Sequence, residues 1–185
     1  MKKVTLLGDS IRLIGYGKKV PELLGDDYVV YQPEENGQYA KFTLLYVHIK
    51  WEEHIKGSDV IHWNNGLWET AARWGDGTFS TYEEYEMNML RIAKFLKTLA
   101  PKVIFATTTP VHPDHDQQSN DTIRSFNDRI VPVLEKEGII INDLYSVIAQ
   151  DIDRYICDDK THLSPEGIEV AANHVANFIK QVAEG

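Results

Sequence analysis

Two short groups of residues, at opposite ends of the chain, carry side chains able to do acyl chemistry. Near the start, Gly8-Asp9-Ser10 follows the apolar run from Val4 to Leu7. This is the pattern of a strand that stops at a glycine and hands on to a helix start. A serine delivered at the C-terminal end of a first strand lies where open parallel sheets keep their ligand sites, which makes Ser10 a candidate nucleophile. The same placement suits a plain N-cap, whose oxygen accepts an amide of the next turn. Near the other end, Asp159-Lys160-Thr161-His162 precedes Leu163 and then Ser164-Pro165-Glu166. That run reads as an N-cap, a proline at the first helical position and the opening turn of a final helix. A spacing of three across a tight turn lets the Asp159 carboxylate reach Nδ1–H of His162. The tautomer is then fixed and Nε2 is left to take a proton from a hydroxyl. Asp158 is adjacent, but its spacing to His162 fits this pattern less well.

A nucleophile block Gly8-Asp9-Ser10 together with Asp159-x-x-His162 resembles the SGNH hydrolases, the GDSL-type lipase/esterase family. The resemblance implies a serine ester hydrolase in which Ser10, His162 and Asp159 form the triad and the Ser10 amide joins an oxyanion hole. It also implies that no cofactor or metal is needed and that the substrate is a small-molecule ester. By order and setting, the family's second block falls on Glu35-Asn36-Gly37-Gln38, which assigns Gly37 as an oxyanion donor. Gly37 is equally readable as a turn residue that needs positive φ. The third block usually reads Gly-x-Asn-Asp, whereas this chain has His62-Trp63-Asn64-Asn65-Gly66-Leu67. Asn64 is the expected oxyanion asparagine because it comes directly off a strand, with Asn65 as second choice. The broken third block leaves a second reading, a ligand-binding module on the same fold without turnover.

Five apolar strands alternate with helical segments, which predicts a parallel sheet covered on both faces, a three-layer α/β/α domain over residues 1–185. The strands are expected at Val4–Leu7, Tyr28–Gln32, Asp59–Trp63, Lys102–Thr108 and Ile139–Asn142. The resemblance implies the flavodoxin-like order 2-1-3-4-5, which gathers the separate blocks at one edge. Ile11 to Leu24 reads as a short helix weakened by Gly15 and Gly17. Ala40 to Ile55 reads as a helix with an apolar stripe of Phe42, Leu45 and Ile49 beside Leu44, Val47 and Trp51. Thr81-Tyr82-Glu83-Glu84 is a capping box that opens a helix to about Leu99. The remaining helices are expected at Asp121–Glu137, Val147–Tyr155 and Ser164–Ala183.

The long loop after the third strand is a candidate binding element. Trp63, Trp68 and Trp74 could line an acyl or sugar cleft or fill the core. Arg73 could clamp an anionic substrate group or stand in solvent. Asp9, beside the nucleophile, is a further substrate-binding candidate. His112, Asp114, His115 and Asp116 are ordinary metal-ligand types, but no regular element holds them together in sequence, so the reading is a polar lid and no metal.

Bulk properties narrow the partners. A net charge of −9 over 185 residues argues against a broad nucleic-acid surface, which needs a basic patch. A single cysteine, Cys157, allows no internal disulfide. Met1-Lys2-Lys3 runs straight into a strand without a secretory apolar region, which gives a cytoplasmic expectation. No apolar run approaches the roughly 18 residues of a membrane span.

Overall fold

The computed structural model describes residues 1–185. Strands β1 (Lys2–Leu7), β2 (Tyr28–Tyr31), β3 (Val60–Trp63), β4 (Lys102–Ala106) and β5 (Ile140–Asn142) form one parallel sheet in the order β2-β1-β3-β4-β5. Leu7 lies beside Trp63 and Trp63 beside Phe105, so the C-terminal ends of β1, β3 and β4 are level. Segments leaving these strands therefore emerge on one edge, although they are far apart in sequence.

The side-chain period of two divides each central strand between two cores. Leu7, Ile61, Trp63, Val103 and Phe105 face α2 (Ala40–Tyr46), α3 (Glu52–Ile55), α4 (Tyr82–Leu99) and much of α5 (Asn120–Lys136). Val4, Leu6, Val60, Ile104 and Ala106 face α1 (Val20–Leu24), α6 (Leu144–Ile148) and α8 (Pro165–Glu184). A short α7 (Ile152–Tyr155) completes the set. With helices on both faces this is a three-layer α/β/α fold.

Local signals account for the helix starts. The Thr81 hydroxyl accepts the Glu84 amide while the Glu84 carboxylate reaches back to the Thr81 amide, a complete capping box. Ser119 and Ser164 cap α5 and α8 through the amides of Thr122 and Gly167. Two expected helices differ in detail. Ile11 to Leu24 is a π-helical turn (Ile11–Gly15), a 3-10 turn (Tyr16–Lys18) and α1, because Gly15 takes backbone angles (φ −106°, ψ −121°) that interrupt the helix. The segment from Ala40 to Ile55 winds through a π-helical turn at Val47–Trp51. Its buried face is Leu44, Val47, Trp51 and Ile55, whereas Leu45 and Ile49, one step round the helix, remain exposed.

Candidate active site

Ser10 follows Gly8, whose φ of +155° and lack of a side chain let β1 end hard against the next strand's loop. A Cβ there would stand 1.9 Å from Asn64 Oδ1. Ser10 does not cap the turn it opens. That role falls to Asp9, whose Oδ1 accepts the Ile11 amide at 2.9 Å. The Ser10 hydroxyl is left free to meet His162 Nε2 at 2.8 Å. His162 Nδ1 in turn meets Asp159 Oδ2 at 2.6 Å.

The other carboxylate oxygen of Asp159 accepts the amides of Thr161 (2.9 Å) and His162 (2.8 Å) and the Cys157 thiol (3.1 Å). Burial acts to raise the Asp159 pKa, but these bonds and the imidazole outweigh it and hold the carboxyl well below its usual range. Asp159 therefore stays ionised and accepts from Nδ1–H, leaving the Nε2 lone pair facing Ser10. Burial pushes the Cys157 thiol up, so it acts here as a neutral donor.

The loop holding His112 and His115, expected from the sequence as a polar lid, braces the turn that carries Asp159 and His162. His115 Nδ1 accepts the amides of Gln117 and Gln118 at 3.1 and 3.0 Å, which places its proton on Nε2, 2.9 Å from Thr161 Oγ1. The His112 amide donates to the Lys160 carbonyl at 2.9 Å and Lys160 Nζ to the Asp114 carbonyl at 3.0 Å. No group of three His, Cys, Asp or Glu side chains converges as metal ligands would.

The expected oxyanion residues divide. Asn64 is 5% exposed; its Oδ1 accepts from the Tyr16 hydroxyl at 2.9 Å and its Nδ2 donates to Asp9 Oδ1 at 2.8 Å, leaving one Nδ2 hydrogen over. Asn65 is fully buried in scaffold work, accepting from Trp63 Nε1 and donating to the Gln38 carbonyl. Gly37 is a correction, because its amide donates to the Gly8 carbonyl at 2.9 Å and so does not face an oxyanion. The Ser10 amide donates to no group in the chain.

Ser10 and His162 open onto a cleft of about 210 Å³ walled by Asn36, Leu67, Trp68, Arg73, Gln118 and Thr161. Of the tryptophans only Trp68 lines it. Trp63 is fully buried, since its position on β3 points it beneath α2 and α4, and Trp74 stands 66% exposed beside Phe79. Asp9 is likewise corrected from a substrate contact to a buried strut. The Arg73 guanidinium lies 5.5 Å from the Trp68 ring and forms no ion pair within the chain. A larger hollow of about 460 Å³ beside Thr107, Arg124 and Tyr145 includes none of Ser10, Asp159 and His162.

Three buried polar supports of this region escaped sequence reasoning. Arg12 is fully buried with its guanidinium on the carbonyls of Gly8, Pro33 and Glu35. Its only signal was a cation inside the apolar run Ile11 to Ile14. Tyr16 orients Asn64. Glu69, buried, accepts the Ala40 amide at the start of α2, and burial pushes its carboxyl up to about 7.

No protein-family profile matches the sequence, and no curated protein does. Solved structures do match. A lipase/acylhydrolase from Enterococcus faecalis superposes with a TM-score of 0.81 at 17% identity, covering 98% of this chain and 96% of that one. An acetylxylan esterase from Geobacillus stearothermophilus superposes at 0.78 with 14% identity, covering 98% and 94%. A GDSL-like lipase from Bacteroides thetaiotaomicron gives 0.74 with 20% identity, covering 99% and 88%. The chain has the fold of the SGNH, or GDSL-type, hydrolases.

Proposed function

We propose that the chain is a serine ester hydrolase that transfers a short acyl group to water through a covalent ester on Ser10. The observation that carries this reading is the unbroken line from Ser10 Oγ through the His162 ring to Asp159. His162 Nε2 takes the Ser10 proton as Oγ attacks the carbonyl carbon, and Asp159 stabilises the imidazolium that forms. The Ser10 amide and the remaining Asn64 hydrogen face the oxygen on which charge develops. His162 then returns the proton to the leaving alcohol, and water repeats the sequence to free the acid.

The cleft favours a small substrate. Its volume of about 210 Å³ falls short of the roughly 300 Å³ at which drug-sized pockets begin. Trp68 offers a flat ring to a sugar face, and Arg73 above it suits a negatively charged substituent. Acetyl esters of carbohydrates or other small alcohols fit both, in line with the acetylxylan esterase fold neighbours. Turnover of 4-nitrophenyl acetate, octanoate and acetylated sugars by the wild type and Ser10→Ala tests this. Acetyl esters should be preferred, with turnover lost in the variant; a preference for octanoate would contradict the substrate class.

A further inference from the structure

We propose that the side-chain amide of Asn36 is a donor of the oxyanion hole, standing where the Gly37 amide would otherwise serve. This rests on the ester-hydrolase reading. At Gly37 the loop between β2 and α2 presses on the end of β1: the Gly37 amide donates to the Gly8 carbonyl, and a Cβ on Gly37 would lie 2.7 Å from that oxygen. Gly37 is thus turned inward, and Asn36 is the residue of this loop that reaches the cleft beside Ser10 and His162.

The orientation of the Asn36 amide follows from its partner. Its Oδ1 accepts the Gln38 amide at 2.8 Å, and Gln38 takes a left-handed φ of +48° to close this turn. A backbone N–H can meet only the oxygen end of a side-chain amide, so Nδ2 is the free end, and it has no partner within the chain. Asn65 has both ends engaged, and Asn64 Nδ2 already serves Asp9. Arg12 anchors the same loop through the Pro33 and Glu35 carbonyls, both at 2.8 Å. Asn36 is therefore held in place before reaction, the condition under which a donor contributes most to the transition state.

In the chemical step the Ser10 Oγ–C bond forms, the carbonyl π pair moves onto oxygen, and the Ser10 proton passes to His162 Nε2. Asn36 Nδ2–H, the Ser10 amide and the free Asn64 hydrogen meet that oxygen. As the carbonyl reforms, the C–O bond to the alcohol breaks and the alcohol leaves with the proton from His162.

Asn36→Asp tests the donor directly, since it keeps the acceptor for the Gln38 amide and removes Nδ2–H. On 4-nitrophenyl acetate, kcat should fall by about a hundredfold or more, the scale of a lost oxyanion donor. KM and the melting temperature should stay near wild type, and affinity for a small alkyl boronic acid, which forms a tetrahedral adduct on serine, should fall in parallel. Asn36→Ala, which also removes the turn, should lose at least as much. A purely structural Asn36 predicts the opposite pattern, with Asn36→Asp active and Asn36→Ala impaired, and that result overturns the proposal. Ser10-dependent turnover in the wild type with kcat retained in Asn36→Asp refutes the Asn36 role alone. Absence of Ser10-dependent turnover in the wild type refutes the hydrolase reading and this role with it.

Discussion

His115 Nε2 donates to Thr161 Oγ1 at 2.9 Å, tying the loop after β4 to the residue that immediately precedes His162. Thr161 also gives its amide to Asp159, so a shift here moves both the His162 imidazole and the Asp159 carboxylate. Misplacement of a reacting group by about 1 Å can cost on the order of a hundredfold in rate. We expect His115→Ala to lower kcat for 4-nitrophenyl acetate by about tenfold with little change in KM. Steady-state kinetics check this, and an unchanged kcat would show that the base is held without the loop.

Arg12 binds the end of β1 to the loop that carries Asn36. Its guanidinium is fully buried, and the Pro33 and Glu35 carbonyls would lose their donor if it were removed, while the Gly8 carbonyl keeps the Gly37 amide. An unsatisfied buried polar group costs about 1–3 kcal/mol, so Arg12→Ala, which strands two of them, should lose at least about 2 kcal/mol of stability. Denaturant unfolding measures this. Arg12→Lys, a point charge in place of a planar fork, should recover only part of it.

Glu69 gives a pH signature. Its carboxyl rises from an ordinary 4.5 to about 7, first through burial, with the Ala40 amide opposing. A raised folded pKa means that the folded chain holds a proton the unfolded chain releases. Stability is therefore full below pH 4.5, falls as pH rises toward about 7 and levels off above it. Glu69→Gln cannot titrate, so its melting temperature relative to wild type should climb across that window and then stay flat. A difference constant with pH would place Glu69 outside this linkage.

The fold was legible because each central strand is apolar on both faces, as a covered parallel sheet demands. The capping residues Thr81, Ser119 and Ser164 mark three helix starts, of which Thr81 and Ser164 could be read in advance. The Asp159–His162 pair was legible because the two residues interact locally across one turn, so their spacing alone brings them together. The rest depended on contacts between distant segments. Trp63 could be placed on a strand but not on one of its faces; the register sends it into the core, while Trp68 in the loop beyond lines the cleft. Gly37 and Asn36 are neighbours in sequence, and only the approach of the loop to Gly8 decides which of them turns inward. Arg12, Tyr16 and Glu69 act through long-range bonds to Glu35, Asn64 and Ala40 that no period or spacing announces.

The central claim is that Ser10 is an activated nucleophile. Its most direct measurement is labelling with a fluorophosphonate serine probe, read by intact mass and peptide mapping, because the probe reports activation of the hydroxyl independently of substrate. The account predicts a single adduct on Ser10 that is absent in Ser10→Ala and strongly slowed in His162→Ala. A folded wild type that takes up no probe, or takes it up on another residue, would contradict it.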